Sequence, residues 1–187
     1  MSNITESIIK FFLILGPDNH TLILMKKILL SPLFLLIFTT TLFSQNELPS
    51  VSLKTLDGDT VNIQEVAGDS DITIISLWAT WCVPCLKELD AISEVYPDWQ
   101  DETNVNLIAV SIDDSRTVRR VKPLINGKGW EYEVLLDSNN DLKRALGAAT
   151  VPLTLVVKNN EIVYRHSGYT PGAENELYEK VQEFQLK

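Results

Sequence analysis

The sequence predicts an α/β domain built on a mixed central sheet, with helices on both faces and a β-hairpin at its N-terminal end. Three observations predict it. The apolar-rich runs at residues 72–78 and 105–112 read as strands buried on both faces. Apolar residues at helical spacing lie between such runs, and strands alternating with helices imply a parallel core. The chain's end breaks that alternation, because residues 153–157 and 162–164 flank Asn159-Asn160 as a hairpin, which makes the sheet mixed.

Taken in order, residues 51–56 and 60–63 flank Asp57-Gly58, a turn dipeptide between two strands. The run at 72–78 follows. Leu86, Leu89, Ile92 and Tyr96 share one face of a helix starting near Cys82, and after the run at 105–112 the spacing of Val118, Val121 and Leu124 suggests another helix. Pro171-Gly172 leads from the second hairpin into a C-terminal helix at 174–184.

Composition narrows the function classes. With 187 residues, 45% of them hydrophobic, and a formal charge of -9, the chain is neither a basic nucleic-acid binder nor a disordered polymer. Two cysteines cannot form the framework of a small multi-bridge scaffold, and with two histidines a four-ligand zinc site would have to recruit both.

Residues 1–44 are expected to lie outside the domain. Met25-Lys26-Lys27 precedes an uncharged stretch at 28–43, the basic and apolar regions of a secretory signal. That stretch is short of the ~20 residues that comfortably span a bilayer. Ser44 offers a small residue at the cut, although Leu42 is bulkier than such sites prefer. Translation is expected to start at Met25, leaving residues 1–24 as an upstream extension, 25–44 as the signal and 45–187 as the domain. An uncleaved membrane anchor is the alternative. Removing residues 1–44 leaves 13 basic and 23 acidic side chains, a charge that repels phosphate backbones and anionic membranes, so no nucleic-acid partner is expected.

The chemistry concentrates at Trp81-Cys82-Val83-Pro84-Cys85, where a buried strand gives way to a helix. Two cysteines three apart on a first helical turn can bridge. Cys82 lies where unpaired N–H groups and the positive end of the helix dipole stabilise a thiolate, and Pro84 fits a turn in which its missing N–H has no partner to lose. A structural staple is the first alternative, but so small a ring removes little entropy from the unfolded chain. Half of a zinc site is the second, and it lacks a second ligand pair.

Strand, Trp-Cys-x-x-Cys, helix, and then Thr150-Val151-Pro152 before a hairpin resembles the thioredoxin fold. More narrowly, the string Leu77-Trp78-Ala79-Thr80-Trp81-Cys82-Val83-Pro84-Cys85-Leu86-Lys87-Glu88 resembles the secreted or membrane-anchored oxidoreductases of the TlpA and ResA type. The signal, the longer middle segment at 113–130 and Glu88 carry the narrower likeness. The resemblance covers essentially residues 47–187. It implies that Cys82 is the exposed attacking thiol, that Cys85 resolves the mixed disulfide, and that Pro152 is a cis-proline facing the pair. A cis bond there would leave the Val151 backbone free to bond an extended substrate, with Trp81 beside it; an ordinary trans proline at a strand start is the alternative.

The position matching the buried aspartate of cytosolic thioredoxins is Ser76, which cannot take a proton at neutral pH. The resemblance implies that Glu88 serves instead. At ~100° per residue it lies about 60° from Cys85 and beside Ile92, so part burial would raise its pKa and let it exchange protons with the resolving thiol. A surface carboxylate is the alternative. His166 could join the cysteines in binding copper, as in copper-delivering relatives, but those resemble a Cys-x-x-x-Cys spacing, and a solvated strand-end histidine is the expectation. Peroxidase chemistry is disfavoured: peroxiredoxins want a threonine three residues before the cysteine, where this chain has Ala79, and Thr80 comes one residue too late.

Together these imply a thiol-disulfide oxidoreductase of the bacterial envelope or periplasm. It would act on protein thiols and disulfides, including those of cytochrome c maturation, draw electrons from a membrane donor, and need no cofactor or metal. A non-catalytic partner- or copper-binding module on the same fold is the alternative.

Overall fold

The computed structural model describes residues 46–186, so the expectations for residues 1–44 lie outside the described residues. The strands are β1 (Ser52–Thr55), β2 (Thr60–Asn62), β3 (Ile72–Trp78), β4 (Asn106–Ser111), β5 (Glu133–Leu136), β6 (Leu153–Lys158) and β7 (Glu161–Ser167). The helices are α1 (Ile63–Ala67), α2 (Val83–Thr103), α3 (Val121–Lys128, entered through a 3-10 turn at Val118–Arg120), α4 (Asp141–Ala145) and α5 (Ala173–Gln185). No described helix is long and apolar enough to cross a membrane.

The strands form one mixed sheet in the order β2-β1-β5-β4-β3-β6-β7. β3, β4 and β5 are mutually parallel, while β6 runs antiparallel to β3 and β7 antiparallel to β6. Every residue of β3 is buried, which requires cover on both faces and explains its uninterrupted apolar character. The hairpin β1–β2 turns through Asp57-Gly58 as expected, and it lies antiparallel against β5. The β6–β7 turn uses Asn159 and Asn160, both at positive φ (51° and 63°), which asparagine tolerates better than most residues.

Helix α2 is longer than its apolar spacing suggests. It continues past Tyr96 and through Pro97 to Thr103. Packing offsets the lost backbone bond: Trp99, 5% exposed, stacks on Tyr178 of α5 with ring centroids 4.8 Å apart. At the other end Cys82 is the N-cap, so the helix begins at the redox pair. Elements α1, β5 and α4 are too short for periodicity to announce. The middle segment is nonetheless tied to α2, since Trp130 Nε1 and Lys128 Nζ both donate to the Asp90 carboxylate (3.1 and 2.6 Å) and Tyr132 donates to the Leu89 carbonyl (3.2 Å).

Candidate active site

The loop between β3 and α2 is held from below. Asp113, fully buried just beyond β4, accepts from the Thr80 N–H (2.8 Å), the Thr80 hydroxyl (2.6 Å) and the Ser111 hydroxyl (2.9 Å). The Ile112 N–H adds a bond to the Trp78 carbonyl (2.8 Å). The chain therefore reaches Cys82 from a fixed position. Sequence reading missed Asp113 as a support, because its partner lies 33 residues away; its place at the end of a buried strand was the available signal.

Cys82 and Cys85 are disulfide-bonded, with Cα atoms 5.3 Å apart. The Cys85 N–H donates to Cys82 Sγ at 3.3 Å, one of the otherwise unpaired donors of the first helical turn. Such a donor would favour a thiolate at Cys82 after reduction. The two cysteines are unequal in exposure but less open than expected: Cys82 is 5% exposed and Cys85 is sealed. The expectation of an exposed Cys82 is corrected in this oxidised form, because the neighbouring side chains Trp81 and Val83 carry the exposure (57% and 61%).

The Val151–Pro152 peptide bond is cis, and the Val151 carbonyl oxygen lies 3.7 Å from Cys82 Sγ. The Val151 backbone, joined to the cis-proline Pro152, thus lies beside the pair.

Glu88 is 4% exposed, more buried than expected. Its two oxygens accept separate hydroxyls, from Thr154 at 2.8 Å on β6 and from Ser76 at 3.1 Å on β3. Ser76 and Thr154 are register partners, which places both hydroxyls under one turn of α2. Burial pushes the Glu88 carboxyl up to about 7, and the two hydroxyl bonds only partly oppose it. Ser76 drew notice in the sequence only as a missing aspartate, and Thr154 not at all.

His166 pairs with Thr154 in the β6–β7 register and stacks on Tyr164. It is the penultimate residue of β7 and partly exposed. A narrow crevice of about 10 Å³, room for about one water, is lined by Glu88, Thr154, Tyr164, His166 and Glu174. At the rim, Tyr169 donates to Glu174 at 2.8 Å, and burial, with that carboxylate beside it, pushes the phenol up to about 12.

Residues 45–166 match the AhpC/TSA family. The thiol-disulfide oxidoreductase ResA of Bacillus thuringiensis (strain Al Hakam) is 26% identical over 118 residues, covering 63% of this chain and 65% of that protein, so the match falls short of two thirds of the relative's length. A solution structure of an uncharacterized thioredoxin-like protein from Porphyromonas gingivalis is similar at 55% identity and a TM-score of 0.65, over 73% of this chain and 90% of that one. A putative thiol:disulfide interchange protein DsbE from Chlorobium tepidum shares the fold at 19% identity and a TM-score of 0.63, over 76% and 96% of the two chains.

Proposed function

The chain belongs to the AhpC/TSA family as a TlpA/ResA-type thioredoxin-like protein, and from that premise we propose that it is a thiol-disulfide oxidoreductase working through Cys82 and Cys85. The observation that carries the proposal is the bonded pair at the start of α2, with the cis-proline carbonyl of Val151 beside Cys82. The name of the ResA relative supports the same reading.

In the reduced protein the Cys82 thiolate attacks a substrate disulfide. A Cys82–substrate bond forms, the substrate S–S bond breaks, and the leaving sulfur takes a proton. Cys85 then loses its proton, attacks Cys82 Sγ and expels the second substrate sulfur. Two electrons pass to the substrate, and the protein is left as the disulfide. Glu88, one turn beyond Cys85 on α2 with a carboxyl raised to about 7, is suited to take the Cys85 proton.

Disulfide exchange is favoured over peroxide reduction because the one hydroxyl before the pair, Thr80 Oγ1, donates its proton to Asp113. The Val83-Pro84 dipeptide offers no cation to stabilise the Cys82 thiolate further, which favours a reductase over a strong oxidant. The proposed setting is the cell envelope, with Met25-Lys26-Lys27 and the uncharged run behind it as an export signal cut near Gln45. Protein disulfides there, those of apocytochrome c included, are the proposed substrates, and a membrane donor the electron source.

Insulin reduction by dithiothreitol tests the activity. The protein should accelerate it and Cys82→Ala should not; no acceleration by the intact chain would leave only a binding module.

A further inference from the structure

Among the described residues three large hydrophobic side chains are exposed, and two of them, Trp81 and Val83, flank Cys82. From Trp81 a groove of about 310 Å³ continues between Ile112, Asp114, Arg116, Asn140 and Lys143. Asn140 and Lys143 also line a second hollow of about 480 Å³, which ends at Gly147, Ala148 and Ala149. Two residues further along the chain is Val151, whose carbonyl faces Cys82. The two hollows therefore form one track that leaves the redox pair at Trp81 and ends near the cis-proline loop.

The track is basic in an acidic protein. Its charged lining is Arg116, Lys143 and Arg144 against Asp114 alone. Arg116 is engaged by Asp114, through Nε at 2.9 Å and Nη2 at 2.6 Å. Arg144 is engaged by Asp141 and by the Asn139 carbonyl. Each of these guanidiniums keeps N–H donors to spare, having five to give. Lys143, at the junction of the two hollows, makes no ion pair among the described residues. Its backbone is fixed all the same, because the Lys143 and Asp141 N–H groups both donate to the buried Asp137 carboxylate (3.0 and 2.7 Å).

We infer that this track seats the substrate polypeptide and selects an acidic segment next to the disulfide to be reduced, with Lys143 meeting its carboxylate. The inference rests on the oxidoreductase reading and adds the substrate class to it. Repulsion from the rest of the domain is screened beyond about 8 Å at physiological salt, so the charge met at contact decides the preference. A segment laid along the track would also bring its sulfur to Cys82 within reach of the Val151 backbone, which edge-strand recognition requires.

The test uses three peptides of equal length with the same disulfide, flanked by Asp/Glu, by Ser or by Lys. Each enzyme's kcat/KM is expressed relative to its own rate on 2-hydroxyethyl disulfide. The acidic peptide should exceed the basic one by about fivefold or more at low salt, with the gap closing in 0.5 M salt, as about one contact-range charge pair would give. Lys143→Glu should reverse the order and Lys143→Arg should keep it. Equal rates, a basic preference, or an order unchanged by Lys143→Glu would overturn the inference. Should no disulfide be reduced, including the small one, the oxidoreductase reading is what fails. Titrating the 15N-labelled protein with the same peptides, serine replacing cysteine, then decides the track by itself: shifts at Lys143, Arg144 and Ala148 with the acidic peptide alone support it, and their absence overturns it.

Discussion

Replacing Glu88 by Gln should change how the stability of the oxidised protein depends on pH, and the structure sets both sign and size. The folded chain holds the Glu88 proton more tightly than the unfolded chain, with a carboxyl raised from 4.5 to about 7 by burial beneath α2. Between those two values the folded state keeps a proton that the unfolded state has released, so stability falls as pH rises through the window and levels off above it. At ~1.36 kcal/mol per unit, ionising Glu88 in place costs about 3 kcal/mol at pH 8 and nothing at pH 4. Gln cannot ionise. Its amide disturbs the Ser76 and Thr154 hydroxyls equally at every pH, and Asp137 and Glu133, whose carboxyls are also raised, cancel in the comparison. Urea unfolding of both proteins at pH 4, 6 and 8 should show Glu88→Gln gaining up to about 3 kcal/mol on the parent between the extremes. A difference constant within about 0.5 kcal/mol would refute the reasoning, whatever its absolute value.

Three further outcomes follow from the same geometry. Alkylation rates of the reduced protein against pH should place Cys82 below the ~8.5 of a free thiol and leave Cys85 above it, given the Cys85 N–H aimed at Cys82 Sγ; equal rates would defeat the division of roles. Cys85→Ala should accumulate reductant-sensitive adducts on non-reducing gels of envelope fractions, and these should vanish when Cys82 is replaced as well; adducts surviving the loss of Cys82 would reverse the nucleophile. Asp113→Ala should lower unfolding stability by ~2–4 kcal/mol, since it strands the Thr80 N–H and two hydroxyls in a buried site; a loss under about 0.5 kcal/mol would mean the loop is held some other way.

Much of this site could be read from residues close together in the chain. The cysteine spacing, Pro84 in a first turn and the uncharged run before it locate the redox pair, because strand-to-helix transitions leave a local signature. Glu88 was legible too, since a helical wheel turns it toward the buried stripe. Its partners were not. Ser76 meets Thr154 across 78 residues through a strand register that no local pattern encodes, and the same pairing carries His166 to the Glu88 cleft. Asp57-Gly58 and Asn159-Asn160 announced their hairpins through backbone chemistry, whereas β5 and α4 have four and five residues and no period long enough to detect. The burial of Cys82 was not legible for a related reason: a motif tells which residues are adjacent in sequence, not that the Val151 carbonyl, 69 residues on, lies against the sulfur. The basic track beside Trp81 depends on Arg116 and Lys143 meeting across 27 residues, so it emerges only with the fold.

The most direct test of the central claim is the reduction potential of the Cys82/Cys85 pair, measured by equilibration with glutathione and dithiothreitol buffers at pH 7. A reversible reductase should titrate between about -200 and -300 mV, the span of thioredoxin and glutaredoxin couples. A value well below about -300 mV would make the bridge a structural staple, and one near -120 mV would make the protein an oxidant; either would contradict the account.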